Sequence, residues 1–224
     1  MKPIKVLLAD DHLIVREGLR LLLESEGDIQ VLCEAGNGRK AVEMAAQNEV
    51  DVILIDIAMP QMNGLEAARQ ILQAHPESRI MILSAHDDTA YMEKAIEIGV
   101  AGFLIKQTSA SILAKAVRAI AQGKTFFSPS FVRHLTHYEK VKGNATLQKR
   151  AGSQLTSRES EVLQLIAEGM ANKQTAGELG ISIKTVEKHR QTVMDKLNLH
   201  DTAGLTRYAI ASGIIESCVQ KTIG

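Results

Sequence analysis

A chain of 224 residues is longer than one small core usually organises, which predicts about two domains; 45% hydrophobic and 23% charged residues exclude disorder throughout. The zero formal net charge excludes a uniformly basic nucleic-acid binder, although residues 1–124 hold 13 basic against 17 acidic side chains, 125–153 hold 5 against 1, and 154–224 hold 8 against 8. No apolar run approaches the roughly 18 residues of a membrane crossing, MKPIKVLLADD meets two aspartates before any signal core, and Cys33 and Cys218 lack metal-ligand spacing, so a reduced, cytoplasmic chain with no membrane partner is expected.

In chain order, short β-branched or apolar runs occur at Lys5–Ala9, Gln30–Glu34, Val52–Ile55, Arg79–Leu83 and Ala101–Ile105. Amphipathic helical patterns separate them at Leu13–Ser25, Gly38–Gln47, Gly64–Ala74, Thr89–Ile98 and Ser109–Gln122. This alternation predicts right-handed crossovers and an α/β doubly wound, five-stranded parallel sheet over residues 1–123. Residues 124–153 read as a connecting segment. Ser128-Pro129 opens a helix through Phe131, Val132, Leu135 and Tyr138, and the polar, basic run KVKGNATLQKRAGSQ follows as a linker.

Residues 154–224 read as helices alone. Thr156 and Glu159 fit a capping box with Leu155 placed for a hydrophobic staple, and Val162, Leu163, Ile166 and Met170 give that helix its core face. A short helix follows at Lys173–Leu179, then a long one at Ile183–Asn198 capped by Ser182, then a last one capped by Asp201 and ending near Gly213.

Ligands of an open parallel sheet gather at the carboxyl ends of its strands. Here the first strand ends in Asp10-Asp11, the third at Asp56, the fourth at Ser84 and the fifth at Ile105-Lys106. Three carboxylates so close raise one another's pKa unless a hard divalent cation compensates, which points to Mg²⁺. Asp56 can then attack phosphorus as a carboxylate nucleophile, with Lys106 neutralising the transferring group and the Ser84 hydroxyl donating to a phosphoryl oxygen. Taken singly, Asp10-Asp11 are helix-cap residues and Lys106 a solvated charge; their joint placement after correctly spaced strands argues for chemistry.

LLADDH, LIDIAMPQMNG, ILSAH and GFLIK resemble the signature blocks of the response-regulator receiver domain, over about residues 4–122. The resemblance implies a flavodoxin-like fold, Asp56 as phosphoacceptor, and Asp11, Asp56 and the Ala58 carbonyl as Mg²⁺ ligands, with Asp10 acting largely through water. Ser84 and Phe103 match the family's hydroxyl and aromatic switch positions; Phe103 lacks a phenolic hydroxyl, so its switch rests on packing. Ala58 and His86 occupy positions that tune hydrolysis in the family: Ala58 cannot orient a water, and His86 either does so or is a solvated loop histidine.

In NKQTAGELGISIKTVEKHRQ, Ala176 permits a close helix crossing, Gly180 a tight turn, Ile181 a core plug and Val186 an anchor, the pattern of a helix-turn-helix. Val186, Val193 and Leu197 face inward, while Lys184, Lys188, Gln191 and Asp195 form a polar stripe flanked by Glu187. Such a stripe is either a wet face or a groove reader. As a reader, Lys188 would donate to guanine, Gln191 pair with adenine, and Glu187 accept from cytosine or merely lower nonspecific affinity. Lys173, Lys184, Thr185 and Arg190 suit phosphate contacts, with a structural salt bridge the alternative for Arg190.

Residues 155–199 resemble the LuxR-type helix-turn-helix domain, and joined to a receiver they make the chain similar to a two-component response regulator of the NarL/FixJ class. That resemblance implies a sensor histidine kinase as donor, double-stranded DNA, a homodimer on activation and RNA polymerase as partners. The last helix, 202–213, is the candidate dimer face through Leu205, Tyr208 and Ala209, or packs on its own domain. A Mg²⁺-dependent aspartate phosphatase is the first rival, but it needs an acid two residues after its nucleophile, where Ala58 stands. A ligand-sensing regulator would have no role for the acidic set. The third alternative is a DNA binder whose receiver is never phosphorylated.

Overall fold

The computed structural model describes residues 2–85, 88–129, 131–132 and 155–215. The chain divides into two compact units, 1–148 and 149–224. In the first, strands β1 (Ile4–Ala9), β2 (Ile29–Ala35), β3 (Val52–Asp56), β4 (Ile80–Ser84), β5 (Gly102–Ile105) and β6 (Phe126–Phe127) form one parallel sheet in the order β2-β1-β3-β4-β5-β6. Helices α1 (Leu13–Glu24), α2 (Gly38–Gln47), α3 (Gly64–Ala74), α4 (Thr89–Ile98) and α5 (Ala110–Ala121) connect the first five strands and lead from β5 toward β6. Asn37, Asn63 and Asp88 start α2, α3 and α4 by accepting a backbone N–H in their side chains. The expected limits of these strands and helices agree to within one residue.

Strand periodicity explains the layers. On β1 and β3, Leu7, Ala9, Ile53 and Ile55 join a core with Ala41 of α2, Leu65 and Ile71 of α3, and Met92 and Ala95 of α4. Their neighbours Val6, Leu8, Val52 and Leu54 face the other way, onto Leu23 of α1 and Leu113, Val117 and Ile120 of α5. Both faces of the strands are therefore covered, and unbroken runs such as VILI suit them.

The sheet has six strands rather than the expected five. Phe126-Phe127, read from the sequence as connecting segment, pair with Gly102 and Phe103 at the edge of β5. Phe131 is 1% exposed, with its ring stacked on Phe127 at 4.4 Å and tilted against Phe103 at 5.1 Å. The burial of these rings holds the short strand in register. Ser128 accepts from the Phe131 and Val132 amides, as a helix start requires; Leu135, Tyr138 and the expected linker lie outside the described residues.

The second unit consists of α6 (Ser157–Ala167), α7 (Asn172–Leu179), α8 (Ile183–Leu197) and α9 (Thr202–Ala211). Thr156 and Glu159 form the expected capping box, and Leu155 packs against the unit's core. Gly180 ends α7 at φ 63°, the left-handed conformation that turns the chain into α8, and Ser182 caps α8. Val162, Leu163, Leu165, Ile166, Ala176, Val186 and Val193 make the core. Of the two readings of the last helix, packing on its own domain holds: Leu205 and Ala209 are fully buried in this same core and Tyr208 packs partly against it, because positions i, i+3 and i+4 form the inward stripe of α9. Ala203, Arg207 and Ile210 face outward. Among the described residues, no helix is long and apolar enough to cross a membrane.

Candidate phosphoacceptor site and nucleic-acid interface

β2 and β3 flank β1 on opposite sides, so the chain reverses its winding direction beside the carboxyl ends of β1 and β3. Asp10 and Asp11 follow β1 there and Asp56 closes β3. Asp10 and Asp56 are nearly sealed from solvent, while the Asp11 side chain is 27% exposed. One ligand atom from each of these residues and from His12 lies within 4.8 Å of the others. Lys106, immediately after β5, places Nζ 2.8 Å from Asp10 Oδ2 and 2.8 Å from Asp56 Oδ2. Ser84, 2% exposed at the end of β4, stands opposite Ile105 across the ladder, and its carbonyl accepts from the Lys106 amide. The sheet thus brings Asp10, Asp11, Asp56 and Lys106 together, with Ser84 joined to Lys106 through its backbone.

The electrostatics are those of a crowded acidic rim. Burial pushes the Asp56 carboxyl up to about 6; Lys106 opposes this, and Asp10 and Asp11 reinforce it. Burial disfavours the charge on Lys106 too, yet its bonds to Asp10 and Asp56 more than offset that and raise its pKa. Asp10 and Asp11 do not cap α1: its N-cap is His12, whose amide donates to Asp10 Oδ1. Asp11 Oδ1 is buried and accepts no aligned hydrogen bond, although His12 Nδ1 lies 2.8 Å away. A hard, oxygen-seeking cation suits an acidic set that leaves such an oxygen without an aligned hydrogen bond.

The loop after Asp56 is pinned by close packing. A Cβ on Gly64 would clash with the Asp56 carbonyl, and one on Gly38 with the Met62 carbonyl, which accepts from the Gly38 amide. Asn37 Nδ2 donates to Gln61 Oε1 at 2.9 Å, while Gln61 holds a left-handed φ of 68°. Ala58 lies in this loop; His86 is outside the described residues. Phe103 is fully buried on β5 among the rings of the sheet edge.

Sequence reasoning missed one residue of this rim. Arg16 of α1 donates through Nη1 to the Asp10 carbonyl at 2.7 Å and through Nε to Glu34 of β2 at 2.8 Å. One carbonyl and a residue eighteen positions away leave no local pattern to read.

In the second unit, Lys184, Glu187, Lys188 and Gln191 are exposed on α8, and Lys173 is exposed on α7. Three candidates are engaged within the unit. Gln191 donates to Asp195 at 2.8 Å, and Thr185 lies in the Ser182 cap. Arg190 donates to Asn172 Oδ1 at 3.3 Å and Thr202 Oγ1 at 2.6 Å, tying α8 to α7 and α9 through neutral partners.

Residues 6–118 match the response regulator receiver domain family, and residues 153–209 match the luxR family of bacterial regulatory proteins. The chain is 33% identical over 225 residues to the transcriptional regulatory protein DegU of Brevibacillus brevis, covering 95% of each. It is 37% identical over 213 residues to YdfI of Bacillus subtilis, covering 94% of this chain and 97% of that one. Among solved structures it is similar to RcsB of Salmonella typhimurium, with a TM-score of 0.56 and 28% identity over 94% of this chain and 100% of that one. A structure of RcsB in complex with DNA gives a TM-score of 0.58 at 28% identity over 94% of this chain and 99% of that one; RcsB also occurs as two dimers bound to two parallel DNAs. ChrA, from a heme-sensing two-component system, gives a TM-score of 0.52 at 31% identity over 96% of this chain and 100% of that one.

Proposed function

The chain belongs to the response regulators of the NarL/FixJ class, which join a receiver to a LuxR-type domain and regulate transcription, and we propose that Asp56 is its phosphoacceptor and control point. The observation that carries this reading is the Lys106 ammonium bridging Asp10 and Asp56 beside Asp11, where the sheet changes winding direction.

On this reading a sensor histidine kinase presents a phosphohistidine. An Asp56 oxygen attacks phosphorus in line; the P–O bond forms as the P–N bond breaks, and the departing imidazole nitrogen keeps the electron pair and takes up a proton. Asp11, Asp56 and the Ala58 carbonyl would hold Mg²⁺, with Asp10 acting through water. When bound, Mg²⁺ neutralises charge on the phosphoryl oxygens. Lys106 turns its ammonium toward the arriving group, and the Ser84 hydroxyl donates to one of its oxygens. Phe103 then repacks, shifting a pre-existing equilibrium between receiver states. The chain is not a turnover enzyme: it accepts one phosphoryl group and loses it slowly to water, with Ala58 unable to orient the attacking molecule.

The division of labour follows the two matched families. Residues 1–123 receive the signal, with β6 and Phe131 completing their sheet and core; the rest of 124–153 connects, and 154–224 read DNA. The N-terminal part of α8 enters the major groove of duplex DNA, with Lys188, Gln191 and Glu187 toward base edges and Lys173, Lys184, Thr185 and Arg190 toward phosphates. Arg190, Thr185 and Gln191 would first have to leave their present partners. Phosphorylated copies dimerise on paired half-sites and meet RNA polymerase there, in the cytoplasm; the RcsB–DNA structures support the DNA and dimer partners.

Intact mass spectrometry after exposure to phosphoramidate and Mg²⁺ tests the acceptor. Wild type should gain one phosphoryl group and Asp56→Asn none; equal gain by both proteins would reject Asp56.

A further inference from the structure

We propose that Arg16 is a positioning residue for the acidic rim: it fixes the peptide that aims Asp11, and thereby sets how tightly the rim holds a divalent cation. The part of the proposal that concerns phosphorylation rests on Asp56 being the phosphoacceptor.

The Asp10 amide is satisfied within the sheet, donating to the Ala35 carbonyl at 3.0 Å. The Asp10 carbonyl lies beyond the last paired residue of β1, and Arg16 Nη1 donates to it at 2.7 Å. That carbonyl and the Asp11 amide belong to one planar peptide unit, so holding the oxygen fixes the plane that carries the Asp11 N and Cα, the base from which its side chain departs. The backbone does most of this aiming, because among the described residues the only side chain against Asp11 Oδ1 is the largely exposed His12 imidazole, 2.8 Å away without an aligned hydrogen bond. Arg16 is itself held by the Glu34 carboxylate at 2.8 Å, and its side chain is only 16% exposed. Glu34 sits on β2 opposite Leu8 of β1, so the brace runs from sheet to guanidinium to rim. Glu34 also accepts from Arg20 Nη1 at 3.1 Å, and Arg20 in turn pairs with Glu24, so the charges of this set balance and Arg16 acts chiefly through geometry. The rigid fork supplies two donors in fixed directions, which a lysine ammonium on a flexible stem does not reproduce.

The test uses the full chain. Mg²⁺ alone is titrated by calorimetry into wild type, Arg16→Lys, Arg16→Met and Glu34→Gln, and phosphoramidate-driven phosphorylation is followed by intact mass against Mg²⁺ concentration. Outer partners of metal ligands typically change affinity about ten- to a hundredfold. Both Arg16 variants should therefore need about tenfold more Mg²⁺ for half-saturation, with Glu34→Gln shifted in the same direction and the rate at saturating Mg²⁺ less affected. A merely structural role would reduce the folded fraction and the amplitude without moving half-saturation, and would overturn the proposal. So would full rescue by Arg16→Lys, which would make the effect one of charge. If an Arg16 variant fails to fold, Glu34→Gln decides, since it leaves the guanidinium intact and weakens its anchor; Arg20→Gln, which removes the other guanidinium on Glu34, should leave half-saturation unchanged. Absence of phosphorylation in wild type would reject the Asp56 reading instead, and the calorimetric comparison would still decide the role of Arg16.

Discussion

Asp56 shows how burial makes a single carboxyl costly. Its side chain is 3% exposed, and burial beside two other acids pushes it up to about 6 despite the Lys106 ammonium. The ordinary unfolded value is about 3.9, so between the two the native state retains a proton that the unfolded chain has released. Stability therefore falls as pH rises through that window, and above it the deficit is roughly 3 kcal/mol. Asp56→Asn removes the deficit. In metal-free buffer its melting temperature should exceed that of wild type near pH 8, with the gain vanishing below about pH 4; a pH-independent difference would contradict this origin. The members of the rim that end a strand or follow one directly were legible in the sequence, because β-strand periodicity and the winding rule place strand ends together. Arg16 was not, because its partners are a backbone carbonyl and a glutamate on a different strand.

Elements were legible wherever a period ran long enough to count. Helices α2, α3 and α4 begin and end at the expected residues, each started by an Asn or Asp cap. A two-residue strand carries no period, so β6 shows only in its pairing with β5 and in the stacking of Phe127 on Phe131. The two readings of α9 stayed open for a related reason: an apolar stripe shows that a face is covered without showing by what, and here the unit's own core covers it. Phe131→Ala, which removes a ring packed against both Phe103 and Phe127, should cost about 3 kcal/mol of receiver stability in denaturant unfolding; a loss below about 1 kcal/mol would contradict the packing. In the second unit, burial pushes the Glu159 carboxyl up, but Lys196 and the Thr156 amide outweigh it and leave its pKa below the ordinary carboxylate value. A depressed carboxyl stabilises above its unfolded pKa, and that contribution is lost as pH falls through the folded value. Lys196→Met should therefore destabilise the second unit at neutral pH and flatten its acid-side loss. An unchanged acid profile would show that this ion pair carries none of the loss.

At the scale of the whole molecule, a neutral total charge concealed a DNA-binding half, because acidic residues elsewhere in the same unit balance the exposed lysines of α7 and α8. The helix-turn-helix pattern carried the sequence argument that charge could not. On the proposed reading, Lys184→Ala weakens binding about equally on all sequences and lowers the salt slope by about 1, whereas Lys188→Ala relaxes base preference. The reverse assignment would appear as a base-selective loss for Lys184→Ala. Control of that half by the other is the central claim, and the most direct measurement is a fluorescence-anisotropy titration of selected duplex DNA with the full chain. Wild type and Asp56→Asn are compared in Mg²⁺ with and without beryllofluoride, a phosphoryl mimic. The account predicts that beryllofluoride tightens binding and promotes dimers in wild type alone; equal affinity and equal dimerisation in all four conditions would contradict it.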